Sequence, residues 1–194
     1  MVGTVNGMRR LCLVSVSLVA VVLLGACGGG SSKASPPTGT QSGQPASVTY
    51  KPAGANPSVS AKMICQAEAI NEIASALQVK TTSVSKPTWV DHVYSCTYVY
   101  PHGKIVLSVK ELVNEADTTA YYNSLAAKYG KKQNINGLAQ GAFIAPNDDV
   151  IVRKDYKVLL VDVKGISENF EPAMPRVEVA ENIAATIMSC WTGA

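Results

Sequence analysis

The chain is poor in the residues that most often build metal centres and nucleophilic sites. It has only two histidines, His92 and His102, and none of its cysteines forms a Cys-x-x-Cys pair. A structural zinc ion needs about four nitrogen or sulfur ligands, and nucleophilic catalysis needs a base within reach of a Ser or Cys. The histidines fall in a loop and in a hairpin turn, so the sequence predicts no metal site, no cofactor and no catalytic residue.

Large aromatic side chains and excess charge are also scarce. Two Phe and two Trp leave little with which to line a large apolar cavity. The formal charge of the whole chain is only +3, and no concentrated basic face of the kind that binds nucleic acid is evident. The small cluster Lys128, Lys131 and Lys132 falls at a predicted helix end, where cations offset the helix dipole. We therefore predict no nucleic-acid partner.

The apolar run near the start of the chain is too short to span a membrane. It covers Leu11–Leu24, follows Arg9 and Arg10, and is interrupted only by two serines. A spanning helix needs about 20 apolar residues. A short positive region, a short apolar run and small residues after it are typical of a secretory signal. The sequence predicts that residues 1–26 are such a signal and that the following chain is exported.

The end of this signal carries a modification motif. Leu24-Gly25-Ala26-Cys27 resembles the lipobox of bacterial lipoproteins. The resemblance implies cleavage before Cys27, a diacylglyceryl thioether on its sulfur and acylation of the new amine. Several acyl chains, at about 0.8 kcal/mol per buried CH2, anchor a protein stably where one chain does not. We expect lipidation at Cys27 and a location on the extracytoplasmic face of the cell membrane; the alternative is a secreted protein whose Cys27 is incidental.

The exported chain divides into a polar segment and a domain. Residues 28–57 are mostly Gly, Ser, Pro, Thr and Gln, and such a segment cannot bury enough apolar surface to offset its ordering entropy. Residues 27–57 are therefore predicted to be the lipidated Cys and a disordered tether, with a coil dimension of roughly 30 Å. Residues 58–194 are long enough for one hydrophobic core. Without residues 1–26, which include two arginines, the net charge falls to +1.

Helical and strand patterns alternate along this domain. The predicted helices run from Met63 to Leu77, from the Asn114 cap to Gly130, and onward from Pro175. The predicted strands are Val93–Tyr100, Ile105–Val109, Ala142–Ala145, Val150–Arg153 and Val158–Val163. Short links between strands require antiparallel neighbours. The expected fold is α+β, an antiparallel sheet of about five strands with three helices mainly on one face, in the order α-β-β-α-β-β-β-α.

Three cysteines remain in the domain: Cys65, Cys96 and Cys190. In an oxidising compartment two of them should pair and leave one thiol. Cys65–Cys96 is favoured because the first helix packs next to the strand that follows it in sequence, while Cys65–Cys190, which joins the first and last helices, stays open. Neither a base nor a cationic surround accompanies Cys190, so a structural thiol is the favoured interpretation.

One face of the predicted strand Val93–Tyr100 is unusually aromatic. Tyr94, Cys96, Tyr98 and Tyr100 alternate along the strand and share that face. They line either a groove for a sugar or lipid or the side of the sheet that the helices cover. Tyrosine can bury its ring and keep its hydroxyl at a polar rim, and core packing is the favoured interpretation.

Several motifs resemble a known group of proteins. Besides the lipobox, the segments Tyr94-Ser95-Cys96-Thr97-Tyr98, Val152–Val158 and Ile187–Gly193 resemble a mycobacterial-type family of uncharacterised actinobacterial cell-envelope lipoproteins. The resemblance spans most of residues 58–194. It implies an extracytoplasmic α+β domain acting as a sensing or accessory module, and it carries over no catalytic residues.

The predicted function is that of a membrane-anchored envelope lipoprotein acting as a non-catalytic binding or accessory module. Its expected partners are the membrane, through the lipid anchor, and an envelope protein or the cell wall. The alternatives are a lipid or glycolipid carrier and, less favoured, a wall-acting enzyme. A closed core would favour the first, a deep apolar cavity the second, and a polar cleft holding His92 or His102 the third.

Overall fold

The computed structural model describes residues 52–170 and 174–191. The predicted signal, Cys27 and residues 28–51 of the predicted tether lie outside these ranges. No helix within the described ranges is long and apolar enough to cross a membrane. The helices are α1 Val59–Met63, α2 Ala67–Leu77, α3 Glu115–Tyr129 and α4 Arg176–Cys190. The strands are β1 Ser83–Val84, β2 Thr88–Val90, β3 Val93–Tyr100, β4 Gly103–Glu111, β5 Gln133–Asn134, β6 Gly141–Ile144, β7 Val150–Lys154, β8 Lys157–Asp162, β9 Asn169–Phe170 and β10 Met174–Pro175.

Eight of these strands form one antiparallel sheet. Its order is β1-β3-β4-β8-β7-β6-β5, with β2 also paired to β3, while β9 and β10 form a separate two-stranded ribbon. The predicted α+β class and antiparallel sheet are confirmed, but the predicted count of about five strands is wrong. The added strands β1, β2 and β5 have two or three residues each, which is too short for a periodic pattern in sequence. Short strands of this kind protect the edges of a sheet.

Helices cover both faces of the sheet. The helices α1, α2 and α4 share a core with Leu107 and Val161, as predicted for one face, whereas α3 places Tyr122 and Leu125 against the opposite face. The prediction that all helices lie mainly on one face therefore fails for α3. The physical reason is that β6, β7 and β8 are apolar on both sides, and a strand buried on both faces reads as a continuous apolar run.

The first predicted helix is two helices separated by a break. α1 ends at Met63 and α2 begins at Ala67, with Gln66 in an extended conformation. The carbonyl of Ile64 accepts a hydrogen bond from the Tyr98 hydroxyl at 2.6 Å. This bond takes the place of the backbone hydrogen bond that the carbonyl would accept in a continuous helix. Cys65 is bonded to Cys96 with a Cα–Cα distance of 6.1 Å, so the disulfide and the tyrosine hold the break against β3.

The start of the described chain lies against one end of the sheet. The amide of Ala53 donates to the carbonyl of Leu112 at 2.9 Å, and Trp89 Nε1 donates to the carbonyl of Ala55 at 3.0 Å. The side chain of Ser58 donates to the Glu111 carboxylate. Ala53 and Ala55, which the sequence assigns to the tether, thus contact the end of the sheet at which Glu111 lies.

Candidate functional site

The tyrosine face of β3 lies in the core, yet its two buried hydroxyls differ. Tyr98 and Tyr100 are only 1% and 3% exposed. The Tyr98 hydroxyl donates to Ile64, whereas the Tyr100 hydroxyl is buried and has no hydrogen-bond partner among the described residues. Burial raises the pKa of Tyr100 to about 12, so the phenol is a neutral donor at physiological pH. An unsatisfied buried hydroxyl costs about 1–3 kcal/mol, and one in a native structure requires an explanation.

Tyr100 borders a pocket of about 180 Å³ at one end of the sheet. We call it the Tyr100 pocket. The ring of Phe170 meets the ring of Tyr100 edge to face, with centroids 5.1 Å apart. The residues that line the pocket are Val79, Tyr100, Pro101, His102, Ser167, Asn169 and Phe170.

Two glycines bring the two sides of this pocket together. Pro101 and His102 form the two-residue turn between β3 and β4, in which Tyr100 pairs with Gly103. The amide of Lys104 donates to the carbonyl of Gly165 at 3.0 Å. A Cβ on Gly103 would lie 2.4 Å from the Gly165 carbonyl oxygen, and one on Gly165 would lie 2.4 Å from that of Lys104. Because only glycine allows this approach, the segment after β8 is held beside the hairpin.

The pocket lining is mainly apolar and carries three polar side chains. It combines the imidazole of His102, the hydroxyl of Ser167 and the amide of Asn169 with two aromatic rings, and the described residues of the lining include no carboxylate, lysine or arginine. The Ser167 hydroxyl donates to the backbone carbonyl of Asn169. Ligand pockets for drug-sized molecules usually measure about 300–1,000 Å³. The Tyr100 pocket therefore suits a small neutral ligand, or one unit of a larger one.

Comparisons of the chain with protein-family models, with curated proteins and with solved structures found no match. The resemblance to envelope lipoproteins thus stays a prediction, and the geometry of the Tyr100 pocket carries the functional inference.

A second depression lies along α2. It measures about 470 Å³ and is lined by polar and small residues together with Ile70, without an aromatic side chain. It lies on the outer side of the helix, where Asn71 and Ser75 are exposed. It offers neither a buried polar group nor an apolar interior, so we place the candidate site at the Tyr100 pocket.

The structure contains the Cys65–Cys96 disulfide that the sequence favours, and Cys190 is the free thiol among the three cysteines of the described ranges. Cys190 Sγ lies 2.7 Å from a carboxylate oxygen of Glu72. Burial and the hydrogen bond to Glu72 raise the pKa of Cys190 to about 11. A reactive cysteine instead has a lowered pKa in an electropositive surround. The geometry keeps Cys190 protonated and links α4 to α2.

The two histidines have different surroundings. His92 and Asp91 form the turn between β2 and β3, and both have a positive φ, as the tight hairpin turn requires. The His92 ring packs edge on against Trp89, with centroids 5.6 Å apart. His102 lies in the other turn and lines the Tyr100 pocket. Of the two, only His102 is placed at the candidate site.

A separate polar cluster fixes the turn between β6 and β7. Partial burial raises the pKa of Asp148, but hydrogen bonds from Lys132 and Arg176 outweigh it and leave the pKa below its usual value. The fully buried Asp149 accepts from the amide of Val163 at 3.0 Å. Within residues 52–170 and 174–191, no group of three or more His, Cys, Asp or Glu side chains is arranged to hold a metal ion. This cluster joins the turn to α4 and to the end of β8.

Sequence reasoning missed half of the pocket. It singled out Tyr100 and His102, but it predicted no helix, strand or site residue between the strand that ends at Val163 and the helix that begins at Pro175. Ser167, Asn169 and Phe170 come from that segment. The available signal was Phe170, one of only two phenylalanines in the chain, because a large aromatic residue within a polar loop indicates that the loop is packed.

Proposed function

We propose that this chain is a lipid-anchored extracytoplasmic binding module. Cys27 holds it on the membrane, the polar segment after Cys27 spaces the domain from the lipid, and the Tyr100 pocket binds the ligand. The expected partner is a component of the cell envelope.

The placement of the pocket relative to the tether is the observation that carries the proposal. β4 begins at Gly103, beside the pocket, and ends at Glu111, beside the point where the N-terminal segment joins the sheet. Nine residue steps separate Gly103 from Leu112, which corresponds to roughly 30 Å along an extended strand. The chain that leads to the anchor thus enters at the end of the sheet remote from the pocket. An anchored domain built in this way keeps its pocket open.

Two alternatives fit the pocket less well. A volume of about 180 Å³ is too small for a long acyl chain, which disfavours a lipid carrier. A wall-acting hydrolase is favoured by one observation, that His102 and Ser167 line the same pocket. However, Ser167 donates its hydroxyl proton to the carbonyl of Asn169, whereas an activated serine donates to its base.

The anchor is tested by replacing Cys27 with Ala. Cells expressing the normal chain, Cys27→Ala and Cys12→Ala are fed a clickable fatty acid and fractionated. We expect labelling and membrane association of the normal chain and of Cys12→Ala, and neither in Cys27→Ala, because the thioether and the new amine both depend on that residue. Labelled, membrane-bound Cys27→Ala would overturn the proposed anchor.

A further inference from the structure

The lining of the Tyr100 pocket points to a class of ligand. We propose that the pocket binds a single neutral sugar ring, either free or as the end unit of a glycan. This inference rests on the proposed function, since it takes the pocket to be the binding site of the module.

The aromatic residues supply one half of the recognition. Phe170 and Tyr100 both line the pocket, and the planes of their rings meet at 87°. Aromatic rings provide a large apolar surface with fixed geometry. A sugar ring has a C–H face that packs on such a surface and a rim of hydroxyl groups that requires polar partners.

The polar residues supply the other half. Tyr100 is 3% exposed and its hydroxyl lacks a partner among the described residues. The hydroxyl itself is closed off from solvent, so a ligand oxygen must displace the ring slightly to reach it, and that contact then removes the cost of an unsatisfied buried donor. His102, Ser167 and Asn169 add donor and acceptor groups around the same pocket. This mixture of hydroxyl, amide and imidazole groups matches a ligand with several hydroxyl groups.

The charge of the pocket lining and the volume of the pocket narrow the class of ligand. Among the described residues, the pocket lining contains no lysine or arginine to balance a carboxylate or phosphate, and no carboxylate to balance an amine. Burying an unpaired charge is costly, so charged sugars are disfavoured. The volume of about 180 Å³ lies below the usual range for drug-sized ligands, about 300–1,000 Å³, which limits the occupant to one ring.

The test is a titration of the ¹⁵N-labelled mature chain carrying Cys27→Ala, in which ¹H–¹⁵N NMR spectra follow the backbone amides as each probe is added. The probes are the methyl glycosides of glucose, mannose, galactose and arabinose, with glucuronate as the charged comparison. We expect at least one neutral glycoside to shift the amide signals of His102, Ser167 and Phe170 at millimolar concentration, and glucuronate to shift them less. A dissociation constant of 1 mM corresponds to only about −4 kcal/mol, so the titration extends to about 50 mM glycoside. If no neutral glycoside shifts these signals at that concentration, the proposal is overturned.

Two matched variants test the contact itself. Tyr100→Phe keeps the ring and removes the unpartnered hydroxyl, and we expect it to weaken binding by about threefold to tenfold, as for one lost hydrogen bond. Tyr98→Phe removes a hydroxyl that is already bonded to Ile64, so affinity should be unchanged. Equal affinities in the normal chain and Tyr100→Phe would contradict the role of this hydroxyl in sugar binding.

Two further probes separate failure of the sugar assignment from failure of the proposed function. N-acetylglycinamide represents a neutral peptide, and hexanoate represents an acyl chain. Shifts at the pocket with either probe, but with no glycoside, would show a ligand site of another class and leave the binding module standing. Absence of shifts with every probe would overturn both the sugar assignment and the use of this pocket for binding.

Discussion

At the scale of single residues, two buried tyrosines of the same strand differ in whether their hydroxyl groups are hydrogen-bonded. Tyr98 and Tyr100 point to the same face of β3 and are almost equally buried. One hydroxyl closes the break between α1 and α2 through Ile64, and the other has no partner within the described ranges. The same chemical group is therefore bonded within the fold at one position and unsatisfied at the other.

Replacing each tyrosine with phenylalanine should have opposite effects on stability. Tyr98→Phe leaves the Ile64 carbonyl without this donor and should lower the free energy of unfolding by about 1–3 kcal/mol. Tyr100→Phe removes an unsatisfied donor and should leave the free energy unchanged or raise it by about 1 kcal/mol. Urea denaturation of the ligand-free chain measures both. A loss in Tyr100→Phe as large as in Tyr98→Phe would show that Tyr100 has a structural partner.

The reactivity of Cys190 should depend on Glu72. Burial and the Glu72 hydrogen bond raise its pKa to about 11, so little thiolate exists at pH 7.5. Glu72→Gln removes the negative charge but not the burial, so the pKa falls only part of the way toward an ordinary value. Since each pKa unit changes the thiolate fraction about tenfold, iodoacetamide labelling should become several-fold to tenfold faster. In both proteins the rate should rise with pH until the thiol titrates.

Glu68 provides the matched control for this thiol. It raises the pKa of Cys190 through its charge alone and less than Glu72 does. Glu68→Gln should therefore accelerate labelling less than Glu72→Gln. Mass mapping should place the label on Cys190 and leave Cys65 and Cys96 joined. A Glu72→Gln chain that labels no faster would contradict the proposed hydrogen bond.

At the scale of secondary-structure elements, sequence predicts best where local signals and packing agree. Asn114 caps α3 by accepting from the amide of Asp117 at 2.8 Å, and Gly130 ends it, both as predicted. The strand Val93–Tyr100 was also predicted correctly. The first helix was not, because the Tyr98 bond to Ile64 that breaks it comes from 34 residues away and has no local signal.

The candidate site was only half predictable for the same reason. Tyr100 and His102 are neighbours at a hairpin turn, which a local pattern reveals. Ser167 and Phe170 reach the pocket only because Gly103 and Gly165 allow two backbones to approach closely. A glycine in sequence indicates conformational freedom or a close approach without telling which segment approaches. Non-local contacts of this kind require the fold.

Gly165→Ala should disturb the pocket through this contact. The new Cβ would lie 2.4 Å from the backbone carbonyl of Lys104, so one of the two segments must move. We expect a loss of about 1–3 kcal/mol, typical of overpacking, and altered NMR signals for Ser167 and Phe170. Gly54→Ala is the control, because its nearest contact would be an ordinary 3.9 Å. Unchanged signals in Gly165→Ala would mean that this approach does not position the pocket.

At the scale of the whole molecule, the two ends of the sheet carry different features, to which we assign different proposed tasks. The Gly103 end carries the Tyr100 pocket, and the Glu111 end receives the N-terminal segment. Near that second end lie three exposed valines, Val59, Val90 and Val113, close to residues 53–58. Separation of the two tasks along β4 means that variants at one end should not affect the other.

Limited proteolysis of the soluble Cys27→Ala chain should show where the domain begins. Residues 28–51 have little apolar content, and from that composition we predict that they do not fold, so we expect early cuts there. From Ala53 onward the backbone is bonded to Leu112, and Ala55 accepts from the Trp89 indole. Cleavage needs an exposed and locally unfolded segment, so protection should begin near residue 52, which mass spectrometry of the fragments measures.

The variant Trp89→Phe tests whether the hydrogen bond to Ala55 protects the start of the domain from proteolysis. It removes only the indole donor to Ala55 and keeps an aromatic ring beside His92. Cleavage should then extend a few residues beyond 52, while sugar titration at the Tyr100 pocket stays unchanged because the pocket lies roughly 30 Å away along β4. Early cuts between Val93 and Val163 at the rate of the tether would contradict a single folded domain. Altered binding in Trp89→Phe would show that the two ends of the sheet are coupled.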